Sequence, residues 1–399
     1  MRILVVHNDY GRYSGEEAVV DRFIADMRGL GHEVETLRRT SKFLRQSLLG
    51  RVKAYFSGLY SFEGVAMMRE AIATFKPDVV NVHNLFPFIS PASLNECRKA
   101  GVPVIMTVHN YRLICPTGLF LHDGKPCEEC LKTHRERPCI LHNCERNLSR
   151  SFAFAHRNKV ARRRGFYLKN ITYYACLTEF QREKLAAFGY PAERLVVIPN
   201  YPNPMVRSVS SDNICTQGMP DGFIGYVGRL SAEKGYDLLL EVAKRHPRLQ
   251  FIFAGDSREE AQKTTLHNVH YCGHLNNQQL ATFYRKASFV AIPSRCYEGL
   301  PMVSLEAFSQ GKTCVLPNHG IFPSLAYNGD KQCAVLFAPG DVGDLEKAIL
   351  SLANAPDRLL RLNLNAKEHV EQHFSHDIVV GKWQELLDKA INAAKSPRR

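Results

Sequence analysis

The sequence lacks any apolar run near the roughly 20 residues that a membrane-spanning helix needs; its longest, such as Ile3–Val6, are a fraction of that. It also lacks the look of a secretory leader. Met1–Val6 turns polar at once with His7, Asn8 and Asp9, so it reads as a buried first strand rather than a signal peptide. Compositional bias is absent too: 45% of the 399 residues are apolar and 23% charged. This excludes collagenous, disordered and small disulfide-framework chains. No repeat of short, fixed period is visible. These absences leave a globular chain of two or three domains, expected to be cytoplasmic, whose twelve cysteines read as thiols or metal ligands.

Acidic charge is scarce in one half only. Residues 1–200 carry 30 Lys+Arg against 19 Asp+Glu, whereas residues 201–399 carry 22 against 20. Such a field attracts polyanions, anionic lipid surfaces or phosphorylated substrates. One basic group, Arg38, Arg39, Lys42, Arg45, Arg51 and Lys53, is interleaved with Phe43, Leu44, Leu48, Leu49, Val52, Tyr55 and Phe56. That mixture suits an amphipathic helix lying on an anionic membrane. A solvated basic helix packed on its own core is the plainer alternative.

Short apolar strands alternate with helical patterns twice over, which predicts two α/β domains with parallel sheets. In the first half, strands are expected at Ile3–Val6, Val34–Leu37, Asp78–Val82, Val104–Val108, Thr172–Leu177 and Leu195–Ile198. A helix carrying Val19, Phe23, Ile24, Met27 and Leu30 follows the first and stops at Gly31. The Pro-rich Pro199–Pro204 stretch and the polar residues to Asp221 read as a linker. Strands then resume at Phe223–Val227, Leu249–Ala254, Ser288–Ile292, Thr313–Leu316 and Ala334–Phe337. The expected organisation is a first domain over 1–204 with a cysteine-rich insertion at 115–144, a linker over 205–221, a second domain over 222–375 and a closing helix over 376–399 that returns to the first domain.

In doubly wound sheets ligands bind at the carboxyl ends of strands. There the second half offers Gly228-Arg229-Leu230-Ser231-Ala232-Glu233-Lys234-Gly235, two cations five residues apart on a loop entering a helix. A planar guanidinium fork and a compact ammonium suit phosphate oxygens. After a later strand comes Glu298-Gly299-Leu300-Pro301, opening a helix expected over 301–310 with Pro301 at its first position and Glu306 on its second turn. The helix N-terminus favours an anion, and the two carboxylates can accept hydrogen bonds from hydroxyl groups.

Gly228-Arg229-Leu230 with Glu233-Lys234-Gly235, followed by Glu298 and Glu306 eight apart around Gly299-Leu300-Pro301, resemble the donor-site signatures of family 4 of the glycosyltransferases. These are retaining enzymes of the α/β GT-B fold, two Rossmann-like doubly wound domains facing a central cleft. The resemblance implies that Arg229 and Lys234 grip the diphosphate of a nucleotide-sugar donor, that Glu298 contacts hydroxyls of the transferred sugar, and that Glu306 binds the ribose. The backbone of Gly299, Leu300 and Pro301 would face sugar or phosphates. His109, in Val108-His109-Asn110, matches a family histidine near the reacting sugar. Tyr13-Ser14-Gly15-Glu16-Glu17 stands where the family has a Gly-Gly-x-Glu loop; Ser14 replaces the first glycine, and Gly15 can still offer a backbone N–H to the donor. The implied partners are a nucleotide diphosphate sugar, a saccharide or lipid-linked acceptor and an anionic membrane surface on the cytoplasmic face, as in bacterial surface-polysaccharide synthesis. No metal is expected to be required for catalysis, and no Asp-x-Asp motif is present.

Residues 115–144 depart from the simplest family pattern by holding five of the twelve cysteines. Cys127-x2-Cys130 and Cys139-x4-Cys144 are two pairs able to wrap a structural zinc ion, with Cys115 and nearby histidines in reserve; reduced thiols in a loop are the alternative. A nucleotide-sugar epimerase or hydrolase on the same scaffold is a second functional reading. A zinc-containing nucleic-acid-binding protein is a third, but no recognition helix or aromatic-basic platform supports it, so nucleic acid is not an expected partner.

Overall fold

The computed structural model describes residues 1–9, 14–40, 48–203, 219–256 and 265–395, with Leu48, Leu49 and Arg51 described through their backbone alone. Most of the expected linker (205–218), the tip of the first loop with Tyr13, and Lys42, Phe43, Leu44 and Arg45 lie outside the described residues. The chain divides into two units. One comprises Met1–Leu119, Glu128–Asn200 and Val379–Arg399; the other, Phe120–Cys127 and Tyr201–Ile378.

The first unit is built on a parallel sheet of six strands: β1 (Arg2–Asp9), β2 (Glu33–Thr40), β3 (Val79–Val82), β4 (Val104–Val108), β7 (Tyr173–Cys176) and β8 (Leu195–Val197), in the order β2-β1-β3-β4-β7-β8. β5 (Leu121–His122) and β6 (Lys125–Pro126) form a separate two-stranded hairpin, which belongs to the other unit. Ile3–Val6 are fully buried, as expected of a parallel strand covered on both faces. β1 does not stop at Val6. His7, Asn8 and Asp9 continue it, registered against Arg38, Arg39 and Thr40 of β2. That pairing also removes Arg38 and Arg39 from the expected amphipathic helix: Arg38 faces Asp21 at 2.7 Å and Arg39 pairs with Glu63. The remaining helix spans Leu48–Leu59.

The helix after β1 spans Gly15–Gly29, and the Glu17 carboxylate accepts the backbone N–H of its N-cap, Ser14, in the manner of a capping box. It ends at Leu30, which is 48% exposed rather than on the core face, with Gly31 beyond it at φ +81°. The closing helix, His376–Lys395, places Trp383 against Phe23 (ring centroids 4.9 Å) and Gln384 against His32.

The second unit repeats the plan with β9 (Phe223–Val227), β10 (Phe251–Ala254), β11 (Val269–Gly273), β12 (Ala287–Ala291), β13 (Cys314–Pro317) and β16 (Val335–Phe337), ordered β11-β10-β9-β12-β13-β16 and parallel throughout. β14 (Tyr327–Asn328) and β15 (Lys331–Gln332) make a small antiparallel hairpin. Phe251, Phe253, Phe289, Phe337 and the helix residues Leu239 and Val242 share one buried cluster. β11 was not expected from the sequence. It is an edge strand with His270 exposed, so it carries no apolar run.

Candidate functional site

In both sheets the strand order reverses once, between β1 and β3 in the first and between β9 and β12 in the second. The crevice at such a reversal is where doubly wound folds take ligands. In the second unit it is flanked by the Gly228–Gly235 loop after β9 and the Pro293–Pro301 loop after β12. Glycine is obligatory at two contacts here. A Cβ on Gly235 (φ +69°) would sit 2.0 Å from the Pro293 carbonyl oxygen, and one on Gly255 (φ +139°) would sit 2.0 Å from that of Gly228. Only a bare backbone lets these loops approach so closely.

The approach brings Lys234 and Glu298 together. Lys234 Nζ donates to Glu298 Oε1 at 2.6 Å, and Ser294 Oγ donates to the same oxygen at 2.6 Å. Burial by itself would lower the Lys234 pKa and raise that of Glu298. Burial is the largest single influence on each, but the partner's opposite charge and hydrogen bond, joined at Glu298 by the Ser294 hydrogen bond and the Arg229 charge, together outweigh it, so Lys234 is held above and Glu298 below its ordinary value. Both are charged at neutral pH. Arg229 Nη2 lies 3.2 Å from Glu233 Oε1. Its carbonyl accepts from Tyr226 Oη at 2.6 Å, which fixes the backbone that presents the guanidinium.

Two residues that the sequence reading left unassigned hold these loops. Arg295 makes a bidentate pair with Asp237 (2.6 and 2.6 Å), and its backbone N–H donates to the Glu233 carbonyl at 2.9 Å. Arg295 stood beside Glu298 in the sequence, but its partner lies across the fold, and spacing carries no trace of that.

The following helix spans Met302–Ser309, with Pro301 as its N-cap rather than its first helical residue. Leu300 and Pro301 are buried and Gly299 is half-buried. Glu306 is 7% exposed, and its Oε2 accepts from Tyr284 Oη at 3.0 Å. Glu306 and Glu298 therefore have different neighbours: a tyrosine hydroxyl for one, an ammonium for the other.

In the first unit, three histidines stand at the carboxyl ends of adjacent strands: His7 within β1, His83 after β3 and His109 after β4. His83 Nδ1 lies 2.8 Å from His109 Nε2, with the rings stacked at 5.1 Å, and the His7 ring stands edge-on to His83 at 6.1 Å. Burial lowers all three pKa values, to about 4 for His7 and about 3 for His109, so the imidazoles are neutral. Gly15 opens its helix, and among the described residues nothing lies within 4 Å of where a Cβ on it would stand.

Among the described residues, one group of three His, Cys, Asp or Glu side chains brings its ligand atoms within 4.8 Å of one another: His7, Asp9 and Glu17. Protein groups already serve these carboxylates, since Glu17 accepts the Ser14 N–H and Asp9 lies 3.9 Å from Arg38. The expected zinc set of Cys127, Cys130, Cys139 and Cys144 is not such a group. Cys130, Cys139 and Cys144 do share a cluster with Ala155. Within it the hydrogen bond between Cys139 and Cys144 holds the first thiol's pKa up and the second's down.

Comparison with known proteins fits this geometry. The family model described as Glycosyltransferase Family 4 matches residues 13–202, and that described as Glycosyl transferases group 1 matches 217–369. The chain has the GT-B fold, and both family models that match it describe glycosyltransferases. Among its relatives, the MMP alpha-(1->4)-mannosyltransferase of Mycolicibacterium hassiacum is 31% identical over 123 residues, 31% of this chain and 29% of that protein. The matched stretch thus spans less than a third of that relative. Sucrose-phosphate synthase from Thermosynechococcus elongatus shares the fold at TM-score 0.72, with 16% identity over 98% of this chain and 99% of that one. Anabaena HepE, solved in complex with UDP-glucose, does so at TM-score 0.66, with 16% identity, 98% and 100% covered.

Proposed function

We propose that this protein is a glycosyltransferase that moves a sugar, with retention of anomeric configuration, from a nucleoside diphosphate sugar to a saccharide or lipid-linked acceptor in polysaccharide synthesis. The observation that carries the reading is the Lys234–Glu298 pair at the β9/β12 reversal, with Arg229 on the adjoining loop. HepE, of the same fold, binds UDP-glucose, which supports a nucleotide-sugar donor.

The costly event is breakage of the anomeric C–O bond as negative charge collects on the departing diphosphate. Arg229, Lys234 and the helix N-terminus at Pro301 stabilise that charge electrostatically. Glu298 accepts hydrogen bonds from hydroxyls of the sugar and Glu306 from those of the ribose, while His109 and Gly15 are assigned to the donor by the family resemblance alone. Attack from the leaving-group face, with the diphosphate taking the acceptor proton, is the proposed course, and it needs no metal. Before the donor arrives, Lys234 and Glu298 neutralise each other; the diphosphate and the sugar hydroxyls then take over as their partners.

Peripheral attachment to an anionic membrane on the cytoplasmic face belongs to the same proposal. No helix among the described residues is long and apolar enough to cross a membrane. Val52, Phe56, Tyr60 and Phe62 are exposed, Phe62 at 82%, beside the exposed Lys53.

A thermal-shift screen against UDP-, GDP- and ADP-sugars, followed by nucleotide release with and without acceptor extracts, tests the reading. Acceptor-dependent release is expected. Release at full rate without acceptor would indicate a hydrolase or epimerase instead.

A further inference from the structure

We propose that His83 is a positioning residue that sets the tautomer of His109, so that His109 carries its proton on Nδ1 and meets its ligand as a hydrogen-bond donor. The ligand half of that statement rests on the donor-site reading of His109; the tautomer half rests on geometry alone.

Two neutral imidazoles joined by one hydrogen bond must supply one N–H and one lone pair. His83 Nδ1 and His109 Nε2, 2.8 Å apart, are the atoms joined. Which of them holds the proton is decided at the far side of the His83 ring. His83 is 4% exposed, and its Nε2 is buried with no hydrogen-bond partner among the described residues. A buried orphan N–H is rarer in folded proteins than a buried orphan acceptor, so Nε2 is the lone pair and Nδ1 holds the proton. His83 Nδ1–H therefore donates to His109 Nε2, and the proton of His109 falls on its own Nδ1. His109 is only half-buried, and Nδ1 is the nitrogen left for a ligand.

The His83 ring is held against turning. Its backbone N–H donates to the Val6 carbonyl at 3.0 Å, and the rings of Phe23 (5.9 Å) and His7 (6.1 Å) pack edge-on against it. Burial disfavours the cationic form of each ring, which would otherwise erase the distinction between the two nitrogens. The arrangement is analogous to the outer partners that fix the tautomer of a metal-bound histidine, here with a second imidazole as the orienting group.

The test is a long-range 1H–15N correlation spectrum of the full-length, ligand-free protein labelled with 15N-histidine at pH 7.5, assigned by single His→Gln substitutions elsewhere. In the unsubstituted protein both His83 and His109 should show the Nδ1–H pattern; an Nε2–H pattern at His109 overturns the proposal. His83→Asn, whose amide nitrogen takes the place of Nδ1, should keep His109 as Nδ1–H. His83→Leu should move it to Nε2–H, and persistence of Nδ1–H there would show that His83 does not set the tautomer. Should His83→Leu fail to fold, the unsubstituted protein and His83→Asn still decide. Because no ligand is present, a wrong donor assignment leaves these outcomes untouched.

Discussion

Lys234 Nζ lies 2.6 Å from Glu298 Oε1, with the two side chains 26% and 14% exposed. The loop motif by itself suggests two cations on a cleft loop, Arg229 and Lys234, whose loss leaves the unliganded protein nearly as stable. The structure separates them. Truncating one member of a largely buried pair strands the other's charge, so Lys234→Ala should lower unfolding stability by about 1–3 kcal/mol, discounted from fully buried pairs. Equilibrium urea unfolding checks this, and an unchanged midpoint would contradict it. Glu298→Gln should keep the Ser294 hydrogen bond and the fold, yet lose most turnover, because a neutral amide accepts hydroxyl hydrogen bonds less strongly than a carboxylate.

Arg229 is 38% exposed and pairs, among the described residues, with Glu233 four residues on. Arg229→Ala should therefore change stability by less than about 0.5 kcal/mol. It should weaken binding of a nucleoside diphosphate on the order of 1.5–3 kcal/mol, and binding of the monophosphate by less. The larger loss should appear in kcat, since charge on the diphosphate grows as the glycosidic bond breaks. Calorimetric titration with UDP and UMP, beside steady-state rates, measures the split.

Acid should destabilise the first unit through its histidines. A histidine whose folded pKa is depressed leaves stability unchanged above the unfolded value and subtracts from it as pH falls below, because the unfolded chain takes up the proton first. For His7, fully buried with its pKa lowered from 6.5 to about 4, the loss should begin near pH 6.5 and level off near pH 4. His7→Gln should lose less stability than the unsubstituted protein between pH 7 and 5, by about 1–2 kcal/mol at about 1.4 per pH unit. Equal losses in the two proteins would show that His7 is not the group concerned.

Phe56 and Phe62 are 61% and 82% exposed, and neither should matter to folding. The double substitution Phe56→Ser, Phe62→Ser should reduce co-sedimentation with vesicles rich in anionic lipid several-fold while leaving the melting temperature within about 2 °C, as expected for surface sites. Raising salt should weaken the binding that remains.

Transferase activity should survive EDTA, and complete loss restored by Mg2+ or Mn2+ would remove the metal-free mechanism. Elemental analysis of the purified protein decides the zinc set of Cys127, Cys130, Cys139 and Cys144: about one zinc per chain would show that the thiols hold the ion, and none would leave them as reduced thiols.

The sequence by itself determined the two α/β units and the motifs at their ligand-bearing ends. Alternating apolar strands and amphipathic helices are local patterns: Val104–Val108, Phe223–Val227 and the Tyr236–Arg245 helix fall where periodicity puts them. Where burial rests on pairing rather than on apolarity, the pattern is silent. β1 runs on through buried His7 and Asn8 because β2 lies beside it, and Arg38 and Arg39 belong to a strand for the same reason. Edge strand β11 has too little apolar surface to announce itself. Tertiary structure alone decided which residues meet: Lys234 with Glu298 across 64 positions, Arg295 with Asp237 across 58, His83 with His109 across 26. The electrostatics followed from those meetings, since a pKa is set by burial and by the charge next door, and neither is a property of spacing along the chain.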